Sequence, residues 1–318
     1  MDATPLRIGV WFNVCHCSYG GPTLVLLGTI LGLFQDAEQT NSPIIIVLNE
    51  PGDVNWCIDY SEDYIYMNIK APNAYIGPLV FSVDDGDADS TQHSAWNNGS
   101  HFIFPSEWLR YWVSQALPFL TDAEHRTHDV WGAGVDTDFF RPLDIPKTQD
   151  YFIYFKSQNF ADLSTLNTYL FKNFFGIRGS VIIYYNYDAC MLRQVANNSR
   201  FCILLDNPET QGLAALEIMA CNIPLFVLDI SQISGKRFGM SGCTSVTCWD
   251  QSCGMKSSMK DLECDFPIFM TNVENYKPRA FVESQYSFSS AAHTLRGLIT
   301  RKHHQCENNN KEDSCMQE

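Results

Sequence analysis

The chain has 318 residues, 45% of them hydrophobic, which is enough for about two domains with their own cores. Its formal net charge of −15 argues against nucleic acid, whose phosphates need clustered Lys and Arg, and against strong association with anionic membranes. No period of about 20 to 50 residues suggests a solenoid.

The first apolar run, Leu6 to Phe12, reads as a buried strand and is too short for a signal peptide. Gly20-Gly21-Pro22 follows. Paired glycines let a backbone approach a phosphate, and proline suits a first helical turn. The helix predicted from Pro22 to Phe34 is too short to span a bilayer. With no targeting segment in view, the expectation is a cytoplasmic protein whose 12 cysteines are free thiols. Further strands are expected at Ile44 to Leu48, Tyr64 to Met67, Leu79 to Val83 and His101 to Phe104. Behind the third of these runs the acidic stretch Asp84-Asp85-Gly86-Asp87-Ala88-Asp89. It is not an EF-hand loop, because Trp96 stands where the bidentate glutamate belongs. Ser106 then caps a helix.

Gly134-Val135-Asp136-Thr137-Asp138-Phe139-Phe140-Arg141-Pro142 reads as a linker, a glycine turn followed by proline. Beyond it the pattern predicts a strand at Tyr151 to Phe155 and a helix near Leu163 to Phe174. A strand at Val181 to Tyr185, a helix near Cys190 to Ala196 and a strand at Phe201 to Leu205 come next. This alternation is that of α/β layers over parallel sheets.

The segment from Asn207 to Asp229 is the most informative. Glu209 and Glu217 stand eight positions apart, and between them Gly212 opens an apolar helix that runs into a strand at Pro224 to Leu228. In a βαβ unit this turn lies at the carboxyl edge of the sheet, where α/β folds bind ligands. The amides near Gln211 to Leu213 would point unpaired N–H groups at an anion. Glu217 lies four residues past Leu213, so its carboxylate shares that helix face. Amides for phosphate and carboxylates for sugar or ribose hydroxyls suit a nucleotide-sugar. After Asp229 the chain reads as irregular to about Asn272. An amphipathic helix from Phe288 to Thr300 and a polar tail, expected to be disordered, complete it. Cys243, Cys248, Cys253 and Cys264 lack the paired knuckles of a zinc site.

The run Glu209-Thr210-Gln211-Gly212, with Glu217, Ala220-Cys221 and Pro224 behind it, resembles the Glu-x7-Glu signature of retaining glycosyltransferases of family 4 with the GT-B fold. Gly134 to Pro142 resembles the Gly-Val-Asp-x-x-x-Phe-x-Pro segment that joins the two domains of that family. The resemblance implies an α/β GT-B architecture, two Rossmann-like domains with parallel sheets facing across a cleft. Residues 1–145 would form the acceptor side and 146–285 the donor side, with 286–301 a helix crossing back and 302–318 a disordered tail. It implies that a hexose passes from a UDP- or GDP-linked donor to a glycan or other hydroxyl acceptor with retained configuration. No cofactor and no divalent metal would be required. Glu209 would contact the transferred sugar and Glu217 the ribose, with Gly212 under the diphosphate and Gln211 and Leu213 beside it. Gly20 and Gly21 would line the opposite wall.

The sequence departs from the family in two places. An Arg and a Lys are usual after the first strand of the second domain, whereas here Lys156 stands alone. A histidine is usual at the end of a central strand of the first domain. Here Asp84 takes its place as the second catalytic candidate, with His16 and His93 as substitutes. Two alternatives follow. Asp85 with Asp87, or Asp87 with Asp89, resembles the metal-binding Asp-x-Asp of GT-A glycosyltransferases, whose cation bridges diphosphate oxygens. A catalytically idle GT-B module that binds nucleotide or glycan is the other.

Overall fold

The computed structural model describes residues 4–12, 21–59, 74–79, 101–116, 128–157, 159–233 and 240–300. The chain divides into two compact units, Met1–Gly134 with Phe288–Glu318, and Val135–Ser287.

The first unit is built on strands β1 (Leu6–Trp11), β2 (Ile44–Leu48), β3 (Val54–Asp59), β4 (Ala74–Leu79), β5 (His101–Phe104) and β6 (His128–Val130). They form one sheet in the order β2-β1-β3-β4-β5-β6, and each pairing is parallel. Helices α1 (Gly21–Gln39) and α2 (Glu107–Ala116) belong to the same unit. The chain returns to it through the helix at residues 288–300. Gly28 and Gly32 of α1 lie so close to Phe288 that neither has room for a Cβ. One turn further on, the buried carboxylate of Asp36 meets His293 Nδ1 at 2.7 Å and Arg296 Nη1 at 2.9 Å. The Trp131 indole donates to Ala291 O at 2.8 Å and the Tyr75 hydroxyl to Ile299 O at 3.0 Å. Small residues for close approach, with polar groups that pair at the edges, fix this helix in place.

The second unit carries β7 (Gln149–Phe155), β8 (Gly179–Ile183), β9 (Ser199–Leu205), β10 (Leu225–Leu228), the short antiparallel pair β11 (Gln232–Ile233) and β12 (Met240–Ser241), and β13 (Gly254–Ser257). The main sheet runs β13-β10-β9-β7-β8, all parallel. Its helices are α3 (Phe160–Asn173), α4 (Ala189–Asn198), α5 (Leu213–Ala220), α6 (Leu262–Asn272) and α7 (Pro278–Gln285). Asn159 and Asp188 cap α3 and α4 by accepting from their first amides. Successive strand residues face opposite ways. Phe152, Tyr154, Cys202 and Leu204 enter one buried layer, and Ile153, Phe155, Phe201 and Ile203 the other. Burial on both faces is why these strands read as continuous apolar runs.

Several elements differ from their sequence readings. Helix α1 runs to Gln39 rather than Phe34, because Asp36, in the polar stretch that follows the apolar run, is itself buried and paired. Strands β3, β4 and β6 were not anticipated, and of the strand expected at Leu79 to Val83 only Leu79 is among the described residues, the rest lying outside them. The span from Asp229 to Asn272, read as irregular, contains β13 and α6, with α7 close behind. β13 is only Gly-Met-Lys-Ser, and α6 has Pro267 inside it, so neither carries its usual signal. The strand at Tyr64 to Met67 and the tail from Lys302 lie outside the described residues.

The units part at Gly134–Val135, ahead of the 145/146 boundary read from sequence. The Val135 amide donates to Tyr286 O at 2.8 Å, and Phe140 is buried in the second unit's core. Asp136 Oδ1 accepts from the Asp138 and Phe139 amides at 3.0 and 2.8 Å, while Arg279 donates to the carbonyls of Thr137, Phe140 and Ala220. From Val135 onward the Gly-Val-Asp segment is thus a packed part of the second unit. Among the described residues no helix is long and apolar enough to cross a membrane.

Candidate active site

At the carboxyl edge of the second sheet, β7 ends at Phe155, and the next residue, Lys156, is fixed beside the end of β9 by its amide bond to Leu205 O at 3.0 Å. β9 gives way to Asp206 and a turn that carries Glu209, Gln211 and Gly212. Gly212 caps α5 with φ 74° and ψ 52°, a left-handed conformation that favours glycine. A Cβ there would meet Glu209 Cβ at an ordinary 3.6 Å, so backbone conformation rather than space selects the glycine. The Ala215 and Leu216 amides bond to Gly212 O, and the amides of Leu213 and Ala214 begin the helix without intrahelical partners. Among the described residues no side chain caps this end, and no acidic residue lies in its first turn, so the positive end of the helix suits an anion.

The Lys156 ammonium forms an ion pair with Glu209 Oε1 and lies 4.6 Å from the centre of the Tyr184 ring. Burial works against its charge, but the carboxylates of Glu209 and Asp206 outweigh burial and hold Lys156 above its usual pKa. Asp206 is buried. Desolvation, with Glu209 adding to it, pushes its carboxyl up to about 7 against the pull of Lys156. Glu217, further along α5, has no hydrogen-bonding partner among the described residues, and burial alone pushes it up to about 8. The Tyr187 hydroxyl, 2.8 Å from that of Tyr154, is pushed up to about 12 by burial, with Glu217 adding to the shift. A carboxyl with unfilled acceptor capacity, near a helix terminus with unfilled donors, is an arrangement suited to a ligand that has both hydroxyls and phosphate.

A second layer holds the turn from behind. The loop at 244–247 touches it three times. Thr244 O accepts from the Glu209 amide at 2.9 Å, Ser245 Oγ donates to Asp206 O at 3.3 Å, and Thr247 Oγ1 donates to Gln211 O at 2.6 Å.

The structure therefore brings Lys156, Glu209, Gln211, Gly212, Leu213 and Glu217 to one sheet edge. Gly21 opens α1 in the first unit. Gly20 and Asp84 lie outside the described residues, as do His16, His93, Asp85, Asp87 and Asp89. Asp206, Asp229, Thr244, Ser245 and Lys256 were not singled out in the sequence. Asp206 and Asp229 each follow a buried strand directly, a position that could have marked them, whereas Thr244 to Lys256 fell in the stretch read as irregular. Cys243, Cys248, Cys253 and Cys264 are free thiols.

No family model matches the chain, and no curated protein matches it in sequence. Its fold is similar to that of sucrose-phosphate synthase from Thermosynechococcus elongatus, with a TM-score of 0.57 at 11% identity over 93% of this chain and 98% of that one. It is likewise similar to the lipopolysaccharide outer core galactosyltransferase WaaB, with a TM-score of 0.55 at 12% identity over 93% and 99%. The GtfA/B complex aligns with a TM-score of 0.52 at 13% identity over 87% of this chain and 60% of that one. Identities this low speak to fold alone. Two Rossmann-like units with parallel sheets, together with these likenesses, give the chain the GT-B fold of glycosyltransferases.

Proposed function

We propose that the protein is a metal-independent, retaining glycosyltransferase that moves a hexose from a UDP- or GDP-linked donor to a glycan or other hydroxyl acceptor. The observation that carries this reading is the left-handed Gly212 cap flanked by Glu209, paired with Lys156, and by Glu217, which has no hydrogen-bonding partner among the described residues. The α5 amides and Lys156 would neutralise the diphosphate, a task that falls to a cation in GT-A enzymes. Glu217 would accept from the ribose hydroxyls, and Glu209 would face the sugar. In the transfer the bond from the anomeric carbon to the leaving phosphate oxygen breaks. The acceptor oxygen bonds to that carbon on the same face, and its proton passes to the leaving phosphate. Asp84, outside the described residues, is the second catalytic candidate.

A nucleotide-binding module without transfer is the second reading. The Lys156–Glu209 pair favours it, because a donor must draw Lys156 away from its carboxylate partner.

The test is titration of nucleoside diphosphate and intact donor into the parent, Glu209→Ala and Glu217→Ala, beside a turnover assay with and without chelator. A charge-assisted hydrogen bond contributes roughly 1.5–3 kcal/mol, so above about pH 8, where Glu217 is ionised, Glu217→Ala should weaken free nucleoside diphosphate by about tenfold or more. Glu209→Ala should leave that affinity near the parent's while turnover falls strongly, and turnover of the parent should survive chelator. Tight nucleotide binding without transfer or donor hydrolysis would establish the second reading. Activity lost in chelator and restored by manganese would overturn metal independence.

A further inference from the structure

Lys256 lies on β13, at the far edge of the sheet from β8, yet its ammonium reaches back beneath the signature turn. It donates to Thr244 Oγ1 at 2.7 Å and to Val246 O at 2.8 Å, stands 3.8 Å from Asp229 Oδ2, and lies 5.4 Å from the centre of the Trp249 ring. Asp229, directly after β10, accepts from Thr244 Oγ1 at 2.9 and 3.0 Å and from the Ser245 amide at 2.6 Å. Thr244 is therefore held on both sides of one hydroxyl, which accepts from the lysine and donates to the aspartate. Its carbonyl is the group that receives the Glu209 amide at 2.9 Å. Its neighbours Ser245 and Thr247 hold the carbonyls of Asp206 and Gln211, on either side of Glu209. Ser245 is fully buried, so this contact cannot be exchanged for water without opening the loop.

We infer that Lys256, acting with Asp229 through Thr244, is the positioning residue for Glu209. It sets the backbone from which that carboxylate is aimed, and it makes no contact with the ligand itself. The inference rests on the reading of Glu209 as the sugar-facing carboxylate. The chemistry fits the task. An ammonium has three donors, and two of them are committed to the loop at hydrogen-bond distance, with an aspartate close by to balance the charge. Burial holds the lysine below its usual pKa, with Asp229 working against that shift. Glu217 and the α5 amides are not part of this network, so loss of Lys256 should disturb the aim of Glu209 and spare the nucleotide.

The experiment compares Lys256→Met, which keeps most of the apolar stem and removes the donors, with Lys256→Arg and with the double variant Lys256→Met, Glu209→Gln. Hydrogen exchange of the Glu209 amide is followed in peptides spanning the turn. Turnover of the nucleotide-sugar and affinity for free nucleoside diphosphate are measured beside it. Lys256→Met should speed exchange at Glu209 by tenfold or more and lower turnover at least tenfold, with nucleoside diphosphate affinity within about twofold of the parent. Lys256→Arg should recover part of the turnover. In the Glu209→Gln background, Lys256→Met should cost little further turnover, because both changes act on one group. Unchanged exchange at Glu209 overturns the inference. So does an equal loss of turnover with Glu209 intact and with Glu209→Gln, or a parallel loss of nucleotide affinity. If the parent neither binds nor turns over any nucleotide-sugar, the functional reading fails, and the exchange measurement still decides whether Lys256 positions Glu209.

Discussion

Glu217 is the residue whose setting is hardest to account for by folding alone. Burial holds its carboxyl at about 8 against an ordinary 4.5, with no compensating cation among the described residues. For a group whose folded pKa is raised, the stabilising contribution is complete below the unfolded value and fades as pH rises through the folded one. The contribution from Glu217 is therefore present below about pH 4.5 and is lost by about pH 8 and above. Glu217→Gln fixes the neutral form. The variant should gain thermal stability relative to the parent as pH rises from 5 to 9. Asp206, pushed up to about 7, titrates in both proteins and cancels from the comparison. Parallel stability curves for the two proteins would show that the carboxyl is already solvated as an ordinary glutamate. Nucleotide should narrow the gap at high pH, since ribose hydroxyls would donate to the ionised form.

At the scale of elements, the edge of the second sheet depends on one close approach. Gly254 opens β13 with φ 143°, and a Cβ there would collide with the Leu225 backbone of β10. Gly254→Ala should destabilise the second unit by about 1–3 kcal/mol, the range for a backbone forced from a conformation only glycine adopts. β13 also carries Lys256, so the same change should reach the loop under Glu209. The helix at residues 288–300 offers the opposite case. A Cβ at Gly297 would meet nothing within 4 Å, and Gly297→Ala should stabilise by about 0.5–1 kcal/mol. Thermal unfolding of both variants checks the pair: stabilisation by Gly254→Ala would remove the steric argument for Gly254, and destabilisation by Gly297→Ala the open-space argument for Gly297.

For the whole molecule, the telling feature is that the chain leaves its first unit at Gly134 and returns to it at Phe288. A chain stopped at Ser287 keeps every residue of the second unit. It loses the helix that meets Gly28, Gly32, Trp131 and Tyr75. It also leaves Asp36 without its partners His293 and Arg296. The truncated protein should show a strongly lowered transition for the first unit, while the second unit's transition, and nucleotide binding with it, stay near the parent's. Two transitions unmoved by the truncation would mean that the returning helix is only laid against its unit.

The sequence by itself determined the class of the fold and pointed to the turn on which the candidate site is built. Strands buried on both faces must be continuously apolar, so β7, β9 and β10 were legible as Tyr151 to Phe155, Phe201 to Leu205 and Pro224 to Leu228. A left-handed helix cap favours glycine, so Gly212 between Glu209 and Glu217 was legible too. Those constraints are local, each set within a turn or a strand of a few residues. Only the tertiary structure decided the rest. It ties Lys156 to Glu209 across 53 positions, seats Asp36 against Arg296 across 260, and runs Lys256 through Thr244 to the backbone of Glu209. It also makes a strand of Gly-Met-Lys-Ser, which has little strand propensity of its own and gains its order from β10 alongside. Contacts of that kind depend on which elements lie side by side, and no periodicity along the chain encodes them.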